Sequence, residues 1–249
     1  MSESINPIVA AWRVRRAIRR TALPRPVGTG TVDHEGFRPV LEAVRSGGVS
    51  AIPRPALESY LATLSDIDPD QLTREHALAY WLNLYNAGAL EVAEQAAREG
   101  SPSVLRVKGA FEDTTMTIAG EALSLDGIEH GKVRRFGDPR IHAALVCGAI
   151  SCPTLRFEPF DGAAVEAQLD DQIRSFLAGG GSQLVDDTLR LSRIFLWYSG
   201  DFVRKMPAWR PATKKDLLQA LREWLPAGSQ SARKITFMRY DWALGCAVR

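Results

Sequence analysis

The sequence predicts an α+β fold with a helical N-terminal part and a small antiparallel sheet. Two observations lead to this fold class. Apolar residues recur at helical spacing through most of the first 100 residues, whereas from residue 104 onward short apolar segments are separated by glycines. No internal repeat or second hydrophobic core is evident. We therefore expect a basic N-terminal arm over residues 1–32 and a single α+β domain over residues 33–249.

Composition excludes several classes of protein. The hydrophobic content of 45% and the charged content of 24% are typical of a globular domain. A net charge of +2 and the lack of a glycine-rich phosphate loop argue against nucleic acid and nucleotides. No run approaches the ~18 apolar residues of a membrane span. Three cysteines are too few for a disulfide scaffold, and the start lacks a signal-peptide pattern, so we expect a cytoplasmic protein.

The first predicted elements are helices. Residues 8–20 mix apolar side chains with five arginines, which predicts a basic amphipathic helix. This helix either binds a membrane surface or a protein partner, or is a solvated arm. Further helices are predicted over residues 33–43, 55–64 and 72–98. In the last of these, Asn86 shares a side with apolar residues, so it either fixes a neighbouring loop from within the core or lines a cleft.

Strands and short helices follow. Residues 104–125 predict strands and a hairpin, and Ser124 is the expected cap of a short helix that contains Glu129 and His130. Glycines at 179–181 end the next helix, and an aromatic patch surrounds Asp201. The remaining predictions are a helix over residues 165–177, a strand pair over 185–191, a helix over 214–225 and a strand over 235–242.

Residues 138–153 concentrate the chemistry of this chain. An apolar run over residues 141–146 contains His142 and is followed by Cys147 and Cys152. Such a run predicts a buried strand or a short buried helix that breaks at Gly148. A thiol enzyme needs a thiolate, a base that forms it and a group that orients the base.

The residues of this region allow more than one pairing. His142 and Cys147 are five residues apart, which places them on different faces of a strand or a helix. Either Cys152 folds back beside His142, or His130 serves Cys147. We favour Cys147 over Cys152 as the nucleophile, because Gly148 leaves open backbone beside it.

The remaining roles fall to polar residues nearby. Glu129 or Asp138 would orient the imidazole, and Asn86 and Asp138 are the candidates for substrate binding. The thiols and imidazoles are also the right atoms for zinc, although the Cys-x4-Cys spacing is at the edge of the usual range, and we expect no metal and no cofactor. A disulfide between Cys147 and Cys152 would fit redox regulation. Considered one at a time, each of these residues is more often a structural part of a hydrophobic core than part of a functional site.

Several stretches together resemble the uncharacterised family known as domain of unknown function 547. They are AYWLNLYNA at 79–87, LSLDGIEHG at 123–131, DPRIH at 138–142, CGAISCP at 147–153, LSRIFLWY at 191–198, Asp201-Phe202 and YDW at 240–242. The resemblance extends from about residue 33 to the end of the chain. One departure is Val146, where members of the family often have asparagine.

The resemblance implies a fold and two alternative functions. Some bacterial members look like papain-type thiol enzymes, the superfamily that includes phytochelatin synthase, which acts on glutathione. This implies a papain-like fold and a cysteine-dependent hydrolase or transferase that acts on an amide bond of a small thiol peptide such as glutathione. Plant members look like interaction proteins, which implies the alternative of a non-catalytic protein-interaction domain.

Overall fold

The computed structural model describes residues 7–203 and 213–246, with side chains from Trp12 onward. Residues 1–6 of the predicted arm, and residues 204–212 and 247–249 of the predicted domain, lie outside the described residues. The fold is α+β with two small sheets, as the sequence predicts. The chain divides into two compact units. Unit 1 comprises Met1–Phe136, Leu145–Glu166 and Asp241–Arg249, and unit 2 comprises Gly137–Ala144 and Ala167–Tyr240.

Unit 1 is built around one long buried helix. Its α-helices are α1 (Pro7–Arg20), α2 (Arg38–Gly47), α3 (Arg54–Ser65) and α4 (Arg74–Arg98). The side chain of Thr73 caps α4 by accepting a hydrogen bond from the backbone N–H of His76. Most side chains of α4 are buried, because apolar residues cover nearly its whole circumference. Helices α1, α3 and α4 agree with the predicted segments to within two residues, whereas α2 begins five residues later and ends four residues later than the predicted segment 33–43.

Short elements complete unit 1. The strands β1 (Met116–Ile118) and β2 (Glu121–Leu123) pair as an antiparallel hairpin. Positive φ angles at Ala119 and Gly120 make the tight turn between them. A π-helix over Gly127–Lys132 follows, and Ser124 accepts a hydrogen bond from the N–H of Gly127, as expected of a cap. The 3-10 helices are Glu35–Phe37, Val49–Ala51, Pro69–Gln71, Val104–Arg106 and Val133–Phe136.

Unit 2 has its own apolar core around a three-stranded sheet. Its α-helices are α5 (Val165–Phe176, which begins in unit 1), α6 (Ile194–Trp197), α7 (Ser199–Phe202) and α8 (Lys214–Leu221). Its strands are β3 (Ser182–Val185), β4 (Thr188–Leu191) and β5 (Lys234–Phe237). The core includes Ile173, Leu177, Leu189, Leu191, Phe195 and Leu221. A π-turn over Leu177–Gly181 and 3-10 helices over Pro139–Ala143 and Ala227–Ser229 complete the unit.

The sheet of unit 2 differs from the prediction in one respect. Strands β3 and β4 are antiparallel, as expected of a hairpin, but β4 and β5 are parallel, so the sheet is mixed and not purely antiparallel. The reason lies in the connection, because strands that are joined through an intervening helix can run in the same direction. The long segment between β4 and β5 contains α8, and it leaves room for such a crossover.

The apolar run at 141–146 forms less regular structure than predicted. A 3-10 helix over Pro139–Ala143 contains its first half, and no helix or strand contains residues 145–147. Asp138 begins this helix by accepting a hydrogen bond from the N–H of Arg140. The chain then turns at Gly148, which has a φ of +81°. Among residues 7–203 and 213–246, no helix has both the length and the apolar character that crossing a membrane requires.

Candidate functional site

Two of the three cysteines lie together in unit 1. The Sγ atoms of Cys147 and Cys152 are 2.7 Å apart, and the backbone N–H of Cys147 donates a hydrogen bond of 3.3 Å to the Sγ of Cys152. The intervening residues turn back because the N–H of Cys152 donates to the carbonyl of Ala149 at 3.0 Å. We call residues 146–152 the cysteine loop. Both residues are partly exposed.

A glycine gives the cysteine loop its sharp direction. Gly148 adopts a φ of +81°, a left-handed conformation that side chains with a Cβ disfavour. A Cβ at this position would lie 3.1 Å from the side chains of both Ala93 and Val104. The position therefore favours glycine for its conformation, and a Cβ there would also have tight contacts with both side chains. This conformation is the cause of the break that the sequence predicts at Gly148.

Asn86 fixes the start of the cysteine loop from α4. Its side chain is 2% exposed, and its Oδ1 accepts a hydrogen bond of 3.0 Å from the N–H of Val146. This is the arrangement of a core amide that fixes a neighbouring loop, one of the two alternatives that the sequence left open. One helical turn earlier, Asn83 bonds both backbone groups of Phe160 in a similar way. A role of Asn86 toward a substrate stays a prediction.

The last described segment crosses over the cysteine loop. Backbone hydrogen bonds join Ile150 to Ala243, and Gly245 to Gly148, at 2.9 and 3.0 Å. This pairing brings in the third cysteine. Burial, and secondarily the nearby charge of Cys152, raise the pKa of Cys246 to about 12. Cys246 therefore remains a protonated thiol at neutral pH, and no local pattern in the sequence places it beside this loop.

His130 and Glu129 lie together on the π-helix of unit 1. The Nδ1 of buried His130 is 3.3 Å from a guanidinium nitrogen of Arg134 and 3.6 Å from a carboxylate oxygen of Glu129. The guanidinium can only donate to Nδ1, whereas the carboxylate can only accept from it, so the two contacts favour opposite protonation states of the ring. The contact with Arg134 was not predicted.

His142 contacts a carboxylate that the sequence analysis did not select. In unit 2, its Nε2 lies 2.8 Å from an oxygen of Asp201, and its ring stacks on Tyr198 with centroids 3.8 Å apart. Its side chain is 1% exposed. We expected Glu129 or Asp138 to orient an imidazole, and for His142 the contacting carboxylate is Asp201. Asp201 lies within one of the stretches that carry the family resemblance, which was the available signal.

Asp138 is engaged with its own helix. Its carboxylate accepts from the backbone N–H of Arg140 at 2.9 Å and pairs with two nitrogens of the same guanidinium. These contacts cap the 3-10 helix that contains His142 and stabilise its first turn. The predicted role of Asp138 in substrate binding stays a prediction.

The structure brings the predicted residues into three local groups. Cys147 lies with Cys152, His130 lies with Glu129, and His142 lies with Asp201. Which imidazole acts on which thiol stays a prediction. Within the part of the chain that the structure describes, no group of three or more His, Cys, Asp or Glu residues is arranged to hold a metal ion.

Comparison with known proteins supports the family resemblance. The sequence profile of the family described as "Protein of unknown function, DUF547" matches residues 69–177. This range includes every site residue predicted from the sequence, whereas Asp201 and Cys246 lie beyond it. No curated protein and no solved structure matches the chain. The family description names no activity, and the papain-like fold stays a prediction.

Proposed function

We propose that this protein is a cysteine-dependent hydrolase or transferase with Cys152 as its nucleophile. One observation supports this most directly: the backbone N–H of Cys147 donates a hydrogen bond of 3.3 Å to the Sγ of Cys152. An N–H can only donate, so it favours the anionic form of the Cys152 sulfur. The thiolate is the reactive form of a cysteine. We therefore prefer Cys152 to Cys147. The sequence had favoured Cys147 because open backbone was expected at Gly148, but the side chains of Ala93 and Val104 lie against that position.

The reaction has two steps. The Cys152 thiolate attacks the carbonyl carbon of an amide, a thioester forms, and the amine departs with a proton. Water in a hydrolase, or a second amine in a transferase, then attacks the thioester carbonyl, and the C–S bond breaks. The Cys152 thiolate is regenerated as the acid or the new amide departs. For the substrate we propose an amide bond of a small thiol peptide such as glutathione, as the resemblance to papain-type enzymes implies.

The two imidazoles have different surroundings, each within its own unit. A base must carry the proton that it accepts, so its surroundings should stabilise the imidazolium. In unit 2, a carboxylate oxygen of Asp201 lies 2.8 Å from the Nε2 of His142. In unit 1, by contrast, the Nδ1 of His130 lies near both the carboxylate of Glu129 and the guanidinium of Arg134. The variants below decide which imidazole serves the nucleophilic thiol.

The test is an assay of glutathione cleavage by the full chain, with products separated by chromatography. We expect Cys152→Ser to reduce kcat by roughly a hundredfold or more, because a serine hydroxyl is a far weaker nucleophile at neutral pH. Cys246→Ser is the matched control and should leave kcat unchanged. No activity in the parent protein, or full activity in folded Cys152→Ser, would contradict the proposal.

Two further variants separate the imidazoles. If His142 is the base, Asp201→Asn lowers kcat by roughly a hundredfold or more with little change in KM, because an amide does not stabilise an imidazolium, and His130→Gln retains most of the activity. If His130 is the base, activity is lost in His130→Gln and retained in Asp201→Asn. Full activity in both variants would contradict a histidine base.

A second candidate function is supported by the surface of α1. Trp12 is 59% exposed, the guanidinium of Arg16 lies 5.4 Å from its ring, and the same shallow surface is lined by basic side chains. These are Arg15, Arg16, Arg19 and Arg20. A tryptophan among arginines suits the interface of an anionic membrane. We propose that α1 binds such a membrane surface.

Sedimentation with lipid vesicles tests this second function. The full chain should bind vesicles that contain phosphatidylserine, and binding should weaken as salt rises, because the attraction is electrostatic. Trp12→Ala, and separately Arg15→Glu, should reduce binding. Lys234→Glu, on a strand of unit 2, is a charge-matched control. Equal binding to vesicles with and without phosphatidylserine, or unchanged binding of Arg15→Glu, would contradict the proposal.

A further inference from the structure

The cysteine loop holds two sulfur atoms close enough to form an internal disulfide after a small movement. The two Sγ atoms are 2.7 Å apart, whereas a disulfide bond is about 2.05 Å long, so the sulfur atoms need to approach by less than about 1 Å. Gly148 supplies the turn between them, and the hydrogen bonds of Val146, Gly148 and Ile150 fix the loop on both sides. Little rearrangement of the backbone is therefore needed.

We propose that Cys147 and Cys152 form a reversible disulfide when a peroxide oxidises the protein, and that this bond switches off the Cys152 thiolate. Formation of the bond depends on the geometry of the loop alone. Its effect on activity rests on the proposed function above.

The chemistry balances with hydrogen peroxide as the oxidant. The Cys152 thiolate attacks one peroxide oxygen, the O–O bond breaks, and a sulfenic acid and one water form after proton uptake. The Cys147 sulfur then attacks the sulfenic sulfur and releases a second water, with the disulfide as product. The pair loses two electrons and two protons, which reduce the peroxide. A dithiol reductant reverses the change by thiol–disulfide exchange.

The order of these steps follows from the contacts of each sulfur. Cys152 reacts first, because its Sγ accepts the hydrogen bond from the N–H of Cys147 and is therefore the sulfur favoured as a thiolate. Cys147 resolves the sulfenic acid, because its sulfur is already in contact. Cys246 stays out of the reaction, since a thiol with a pKa of about 12 carries almost no thiolate at neutral pH.

Peptide mapping without reduction tests this chemistry directly. Cleavage after arginine places Cys147 and Cys152 in one peptide, residues 141–156, and Cys246 in another, residues 240–249. After mild peroxide treatment of the parent protein, we expect the 141–156 peptide to lose two hydrogen atoms and to regain them with dithiothreitol. A peptide that keeps two alkylatable thiols, or a cross-link to residues 240–249, would overturn the proposal.

Variants then test the order of the steps. In Cys147→Ser, a sulfenic acid at Cys152 should persist and react with dimedone, because the resolving thiol is gone. In Cys152→Ser, dimedone labelling of Cys147 should be at least about tenfold slower than the labelling of Cys152 in Cys147→Ser. Equal labelling in the two variants would overturn the assigned order. The peptide map of the parent protein does not depend on the folding of any variant. If the disulfide forms but the parent cleaves no amide, the proposed function fails and the disulfide stands.

Discussion

At the scale of single residues, buried amides decide where the cysteine loop begins. Asn86, whose side chain is 2% exposed, accepts a hydrogen bond from the N–H of Val146. The spacing of α4 predicted that this asparagine faces inward, yet its partner was not predictable, because the bond spans 60 positions of sequence. A buried polar group needs a partner, and only the tertiary structure identifies which one.

Removal of this amide should weaken unit 1. We expect Asn86→Ala to lower the free energy of unfolding by about 2 kcal/mol, because the N–H of Val146 loses its partner. Denaturant titration measures this change. Gln95→Ala is the control on the same helix, since the bond of Gln95 to Glu99 is exposed, and it should change stability by less than about 0.5 kcal/mol. Equal effects of the two substitutions would contradict the role of Asn86.

A second residue makes stability depend on pH. Burial raises the pKa of Asp126 from its ordinary value of 3.8 to about 6, although the neighbouring Arg13 acts in the opposite direction. The folded state therefore holds the proton more tightly than the unfolded chain. The stabilising contribution is fully present below pH 3.8 and is lost as the pH rises through about 6.

Asp126→Asn should remove this dependence. Between pH 4.5 and 7.5, the stability of the variant relative to the parent should rise by about 2 kcal/mol, since one pKa unit corresponds to about 1.4 kcal/mol. Denaturant titrations at the two pH values give the difference. A relative stability that stays constant, or that falls with pH, would contradict the raised pKa.

At the scale of elements, the long periodic segments were predictable and the site was only partly so. The helix α4 follows from local patterns, because hydrophobic spacing determines it. The strand pair predicted over residues 185–191 includes all of β4 but only the last residue of β3. The run at 141–146 was ambiguous, since a short apolar segment suits a strand or a helix equally. The pairing of residues 241–246 with the cysteine loop was not predicted, because it joins residues that are far apart in the sequence.

Gly148 tests how strictly the loop depends on one position. Gly148→Ala should lower stability by more than Gly100→Ala, which also has a positive φ but has open space around its Cβ direction. The conformation alone costs about 1–2 kcal/mol in both variants. Contact with Ala93 and Val104 should add roughly 1–3 kcal/mol at Gly148. Denaturant titration measures the loss of stability in each variant. Equal losses would show that contact with Ala93 and Val104 does not affect stability.

At the scale of the whole molecule, the described residues form two compact units, each with its own buried side chains. Unit 1 contains the three cysteines and the π-helix with His130, and unit 2 contains His142 and Asp201. Both units are discontinuous in sequence, which periodicity along the chain does not reveal. The central claim concerns unit 1, where one of three thiols is favoured as a thiolate.

The most direct test of that claim is the rate of iodoacetamide labelling of each cysteine in the native protein between pH 6 and 9. Fragment-ion mass spectrometry distinguishes Cys147 from Cys152 within one peptide. We predict that Cys152 reacts fastest at pH 6, and that Cys246 reacts at an appreciable rate only after unfolding, because burial raises its pKa to about 12. If Cys152 reacts no faster than Cys147 at pH 6, Cys152 is not the activated thiol and the account is wrong.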